Sequence, residues 1–115
     1  MYRLVSLGVL EEDNSASHVS PCLIQPKKDG TIRFLTDFRE LNSQLKRFPY
    51  PLPVLEDLLH DLKGFTYATA MELNMGYYTI RLIPGASYLC TIILPFSKFW
   101  YKRLPMGIKP SSDIF

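Results

Sequence analysis

The sequence predicts an α+β fold: an antiparallel sheet with one helix packed on it. Three observations carry this expectation. An Asp29-Gly30 pair lies between two strand-like runs, Cys22 to Gln25 and Thr31 to Thr36, which signals a hairpin because glycine tolerates the positive φ that such turns require. Val54, Leu55, Leu58, Leu59 and Leu62 fall at the spacing of one helix face. Neither an internal repeat nor a strand-helix-strand alternation runs through the chain, so a parallel crossover fold is not indicated.

Taken in order, Met1 to Leu10 reads as a short helix with Leu4, Leu7 and Val9 as its apolar members. Residues 11–21, polar and rich in turn formers, read as a loop. The hairpin comes next, with Lys27 and Lys28 at its tip and Arg33 three residues past Gly30. After Asp37 to Asn42 come three prolines, Pro49, Pro51 and Pro53, which favour an extended connection between Arg47 and Pro53. The leucine-faced helix has Glu56 and Asp57 in its first turn, where acids suit the dipole, and ends at Gly64. Its apolar face is expected to be core.

From Phe65 to Leu82 the chain alternates and then breaks. Tyr67, Thr69, Met71 and Leu73 fall on one side of an expected strand, with Ala68, Ala70 and Glu72 on the other. Asn74, Met75 and Gly76 make a turn, and Tyr77 to Leu82 resumes as a second run of strand formers. A carboxylate at a strand end either helps hold a hard cation such as Mg²⁺, which takes one or two carboxylates plus substrate phosphates, or stands solvated where the strand emerges. Pro84-Gly85-Ala86 reads as a turn into a strand from Tyr88 to Leu94, apolar enough to be covered on both faces. Phe99 to Leu104 reads as a further strand, and Pro110 to Phe115 as the start of a helix.

Composition sets outer limits. A chain of 115 residues, 47% apolar and 21% charged, is the size of one small domain or a piece of one, and neither disordered nor fibrous. No apolar run approaches the roughly 18 residues a membrane span needs, and the acidic Glu11, Glu12 and Asp13 do not suit a signal peptide, so an intracellular setting and no membrane partner are expected. Cys22 and Cys90 form no metal or redox motif and read as buried free thiols; His18 and His60 have no cysteine partners at zinc-binding spacing. The net charge of +2 is small, but residues 76–115 carry Arg81, Lys98, Lys102, Arg103 and Lys109 against Asp113, either a phosphate-facing surface or ordinary solubilising charge.

Three stretches then point to one family. ATAMELNMGYYTIRL resembles the first catalytic motif of reverse transcriptases from gypsy-type LTR retrotransposons, SPCLIQPKKDGTIRFLTDFRELN resembles their fingers hairpin, and KFWYKRLPMGIKPSSDIF resembles their LPxG segment and the helix start after it. The resemblance implies a fingers hairpin and linker over about residues 20–50 and a partial palm of a right-hand polymerase over about 51–115. It implies RNA-directed DNA polymerase chemistry with Mg ions, a dNTP and an RNA or DNA template-primer, within a longer polyprotein. Glu72 matches the catalytic, metal-holding position, where the family has Asp. Lys27 or Lys28, with Arg33, match the residues that close on the incoming nucleotide. Leu73 matches a position whose backbone lies beside the metal, Tyr77 the gate against the ribose 2′-hydroxyl, and Met106 with Gly107 the nucleotide-pocket segment. Ser112 stands at a template-facing helix start where the family usually has Pro. For Tyr77 and Met106, plain packing is the competing account.

Two metal ions held about 3.5–4 Å apart need several carboxylates, and the family's remaining aspartates, a YxDD-type pair, are not found among these residues. The expectation is therefore a truncated, inactive polymerase segment, with a non-catalytic fingers-palm module that binds nucleic acid or a protein partner as the alternative. An unrelated structural domain is the third class, which three motifs in the family's order disfavour.

Overall fold

The computed structural model describes residues 2–51, 54–62, 64 and 66–115. Its elements are helix α1 (Tyr2–Ser6), strands β1 (Leu10–Glu12), β2 (Ser20–Pro26) and β3 (Ile32–Thr36), helices α2 (Arg39–Gln44) and α3 (Leu55–Asp61), a 3₁₀ turn (Gly76–Thr79), helix α4 (Pro84–Leu89), strands β4 (Thr91–Leu94) and β5 (Ser97–Tyr101), and helix α5 (Ser111–Ile114). The α+β class stands. The strands form one sheet in the order β1-β5-β4-β2-β3.

The β2–β3 hairpin forms where the Asp-Gly pair predicts it, with Leu23 opposite Leu35 and Gln25 opposite Arg33. Its tip closes through Lys27 N–H to Thr31 O at 2.7 Å and Gly30 N–H to Lys27 O at 3.2 Å, with Gly30 at φ +80°. The Asp29 carboxylate accepts from the Thr31 backbone and hydroxyl, at 2.9 and 2.6 Å, which holds its pKa below the usual range.

The sheet is not wholly antiparallel. β2 meets β4 in parallel through Ser20↔Ile92 and Pro21↔Ile93, while β1–β5 and β4–β5 are antiparallel. Residues 11–21, expected as a loop, contribute to β1 and β2 because β5 and β4 offer them edges to pair with.

Three further expectations are corrected. The stretch 66–73 is not a strand: its residues are exposed, Tyr67 at 91% and Met71 at 93%, and no described residue pairs with it. Alternation alone cannot hold a strand whose N–H and C=O groups lack a ladder; the expected start at Phe65 lies outside the described residues. Tyr77 to Thr79 coils into the 3₁₀ turn instead of extending. Pro84 to Leu89 is helical, because proline at the first helical position has its φ already set and no N–H to lose. The strand after it is β4, of which Thr91 and Ile92 are buried and Ile93 is exposed.

The leucine-faced helix forms as α3, but none of its described residues is buried: Leu55, Leu58 and Leu59, with Leu62 just past its end, are 68%, 44%, 59% and 52% exposed. Of the extended connection before it, Leu52 and Pro53 lie outside the described residues, as do Met1 and Lys63.

The core instead gathers Val9, Leu10, Phe38, Leu41, Cys90, Ile92, Phe99, Tyr101, Leu104 and Ile108. It draws on β1, β4, β5, α2 and the segment after β5. The radius of gyration is 17.4 Å, against about 13 Å for a compact domain of this length. The accessible surface is 9084 Å², against roughly 6,400 Å² expected from the mass. Among the described residues, no helix is long and apolar enough to cross a membrane.

Candidate functional site

Glu72, Leu73 and Tyr77 flank a tight reversal. Met75, at φ 54° and ψ 38°, is the one non-glycine residue with positive φ among those described, and such a conformation persists only where surrounding structure holds it. The 3₁₀ turn after it is closed by Tyr78 N–H to Met75 O at 2.9 Å and by the Thr79 hydroxyl to Gly76 O at 2.7 Å. Arg81 then bridges Arg103 in antiparallel fashion, with Leu82 N–H donating to Lys102 O and Leu104 N–H to Ile80 O, each at 3.0 Å. The bridge brings the chain just past Leu104 beside the reversal.

Residues 71–77 line a cavity of about 500 Å³ together with Met106 and Phe115. Four of the predicted site residues, Glu72, Leu73, Tyr77 and Met106, thus share one cavity although the last lies about thirty positions along the chain. Tyr77 is half-buried, its ring edge-to-face with Phe115 at 4.9 Å between centroids. Tyr78 turns into the core, stacked on Tyr101 at 6.4 Å, and its burial raises its hydroxyl pKa.

Glu72 is exposed and, among the described residues, is the one carboxylate lining this cavity. Among the described residues, no three potential ligands converge on a point. A single acid fits the lesser share of a hard-cation site, where substrate phosphates and water supply the rest, but does not complete a two-ion set.

The other predicted residues stand apart from the cavity. Lys27, Lys28 and Arg33 are exposed on the hairpin and form no ion pair among the described residues. Gly107, at φ +95°, adjoins the lining through Met106, and its carbonyl faces Asn42. Ser112 is exposed on α5, whereas its neighbour Ser111 is buried, its hydroxyl donating to Pro105 O at 2.7 Å. Of the basic residues near the C-terminus, three make contacts within the chain: Lys98 to Ala16 O at 2.9 Å, Lys102 to Glu11 at 2.9 Å, and Arg103 to Thr79 O at 3.3 Å. Arg81 and Lys109 remain exposed.

Sequence reasoning overlooked Phe115 and the reach of Asn42. Phe115 abuts Gly76 so closely that a Cβ there would lie 2.7 Å from its ring. A glycine directly after a turn and before two tyrosines was the available signal. In the structure Asp37 pairs with Arg39, at 2.6 Å, and it is the Asn42 amide that spans to residues 107 and 109. The Arg39 contacts hold the Asp37 carboxyl below its usual pKa.

No family model matches the chain. The Transposon Tf2-3 polyprotein of Schizosaccharomyces pombe is 35% identical over 108 residues, which is 94% of this chain and 8% of the polyprotein. In fold, the chain is similar to a crystal structure of the prototype foamy virus protease-reverse transcriptase, with a TM-score of 0.85 at 25% identity over 97% of this chain and 15% of that one. The foamy viral protease-reverse transcriptase in complex with double-stranded DNA gives a TM-score of 0.87 at 21% identity, over 97% of this chain and 20% of that one.

Proposed function

The chain is reverse-transcriptase-like in sequence and fold, and from this premise we propose that it supplies the fingers hairpin, over about residues 20–50, and the first part of the palm, over about 51–115, of an RNA-directed DNA polymerase. The observation that carries this reading is the cavity that gathers Glu72, Leu73, Tyr77 and Met106. Those are the acid, backbone, sugar-facing and pocket positions of a nucleotide site. The exposed Lys27, Lys28 and Arg33 are suited to a triphosphate, lysine as a point charge and arginine as a planar fork. The DNA held by the foamy viral relative supports an RNA or DNA template-primer as the polymeric partner, and Ser112 is the template-facing position.

Divalent ions, when bound in such a polymerase, activate the primer hydroxyl and neutralise the triphosphate. Glu72 would hold one; the carboxylates that complete the set are not among the cavity's lining residues. What the chain's own residues do is narrower: Tyr77 limits the space beside the sugar, Met106 walls the pocket, and the hairpin neutralises phosphate charge. The 115 residues by themselves are therefore a binding platform and not a catalyst. The single carboxylate favours, as a second reading, a module that holds nucleic acid without extending it.

The test is primer extension on poly(rA)/oligo(dT) with Mg²⁺ or Mn²⁺. The isolated chain is expected to give no incorporation, and the chain completed with a relative's downstream palm and thumb, carrying Glu72→Asp, is expected to extend. Incorporation by the isolated chain overturns the single-acid argument, and a folded but inert completed enzyme overturns the polymerase reading.

A further inference from the structure

Met106 enters the cavity from a turn held locally by the Ser111 hydroxyl on Pro105 O, at 2.7 Å, and from afar by a side chain of α2. Gly107, next to it, has φ +95°, which a side-chain-bearing residue rarely adopts. The Gly107 carbonyl accepts from the Asn42 Nδ2 at 2.7 Å, and the Asn42 Oδ1 accepts from the Lys109 N–H at 2.7 Å. One amide thus grips the backbone on both sides of the buried Ile108, and only one orientation of that amide satisfies both bonds. A second observation points the same way: a Cβ built on Gly107 would rest 3.8 Å from the Phe38 ring and 3.9 Å from Thr36 O, so the turn sits against the base of the hairpin. Asn42 itself is fixed, because α2 is anchored by Leu41, 4% exposed, and preceded by Phe38, 2% exposed.

We propose that Asn42 is a positioning residue of the nucleotide pocket. Through Gly107 and Lys109 it holds Met106 at the cavity wall and makes the hairpin base and the pocket one mechanical unit. The inference rests on the reading of Met106 as a pocket residue. Its geometric half, the grip on the turn, stands on the structure alone. A contact that merely added stability would leave nucleotide affinity unchanged in the folded fraction, whereas a positioning contact sets that affinity.

Two measurements decide it. In the 115-residue chain, amide hydrogen exchange at Lys109 is expected to quicken roughly tenfold or more in Asn42→Ala, since both hydrogen bonds of the amide to the turn are lost. In Asn42→Asp it should stay near wild type, because a carboxylate still accepts from that N–H. Unchanged Lys109 exchange in Asn42→Ala overturns the grip. In the completed Glu72→Asp polymerase, Asn42→Asp and Asn42→Ala are each expected to raise the KM for dNTP roughly tenfold, with kcat and template-primer affinity within about twofold. A fall in melting temperature with no change in that KM overturns the positioning role and leaves a structural tie. If the completed polymerase with Asn42 intact extends nothing, the polymerase reading fails and the nucleotide half falls with it. The exchange result then still stands or falls by itself.

Discussion

The ring of Phe115 meets the ring of Tyr77 edge-to-face, centroids 4.9 Å apart and planes at 67°, and the same Phe115 ring occupies the space where a Cβ on Gly76 would lie. Gly76 and Phe115 are therefore a matched pair of sizes. Adding one methyl with Gly76→Ala overpacks the contact and is expected to cost roughly 1–3 kcal/mol. Phe115→Leu in the same chain should recover part of that loss. A double-mutant cycle on urea midpoints measures it, and strictly additive changes would show that the two residues do not share the space.

Glu72 and aspartate carry the same charge and the same ligand atoms, but glutamate places them one methylene further out. In the completed polymerase, Glu72→Asp is expected to raise the extension rate by up to about 10²-fold, since a displacement of about 1 Å has that scale of effect on aligned reacting groups. Ser112 stays unchanged in both proteins. Equal rates would mean that the site tolerates the longer acid.

The face of α3 exposes Leu55, Leu58, Leu59 and Leu62 on a chain whose surface already exceeds that of a compact domain. Contiguous apolar area of this kind drives association. The isolated chain is expected to self-associate at micromolar concentration, and Leu55→Lys with Leu59→Lys to raise the monomer fraction without loss of helix. Sedimentation velocity beside circular dichroism is the measurement. A wild-type chain that is a monodisperse monomer with a sharp, reversible melt refutes this.

Burial pushes the Cys90 thiol from 9.0 up to about 12, and it likewise raises Tyr78 and Tyr101. A raised folded pKa stabilises the protonated form, so this contribution is complete below about pH 9 and is lost between about pH 9 and 12, as the unfolded chain gives up protons that the folded chain retains. Urea midpoints should accordingly fall across that window. At pH 8 a thiol reagent is expected to modify the half-buried Cys22 before Cys90. Modification of both thiols at the unfolded rate would show that neither is protected.

What could be read in the sequence was what local chemistry decides. Asp29-Gly30 determines the hairpin because its positive φ and side-chain bonds lie within four residues. The spacing from Val54 to Leu62 determines a helix, yet periodicity cannot say what covers its face, and here nothing among the described residues does. Alternation from 66 to 73 suggested a strand, but a strand also needs a partner, and that is a fact about other residues. The run from Tyr88 to Leu94 is apolar nearly throughout, so only Pro84, seated at a helix start, tells helix from strand. Glu72, Leu73, Tyr77 and Met106 were singled out by motif resemblance alone; that they line one cavity depends on the Arg81–Arg103 bridge, which no local pattern announces. The grip of Asn42 on residues 107 and 109 was not legible either, because an amide's long-range partners leave no mark on its own neighbours.

Among the described residues, the hairpin joins the rest of the sheet through two parallel residue pairs, Ser20↔Ile92 and Pro21↔Ile93, and Pro21 has no N–H to give. Its own strands are a few residues apart in the chain, so it can close on the order of microseconds, before the long-range pairings are in place. Docking it onto β4 means closing a loop of about seventy residues, an entropic step that comes late and slowly. The hairpin should therefore exist as a formed but undocked arm early in refolding. Its attachment, and with it the registry of the core around Ile92, is expected to be the slow step, and refolding followed at Trp100 beside a probe on the hairpin should show the hairpin signal first.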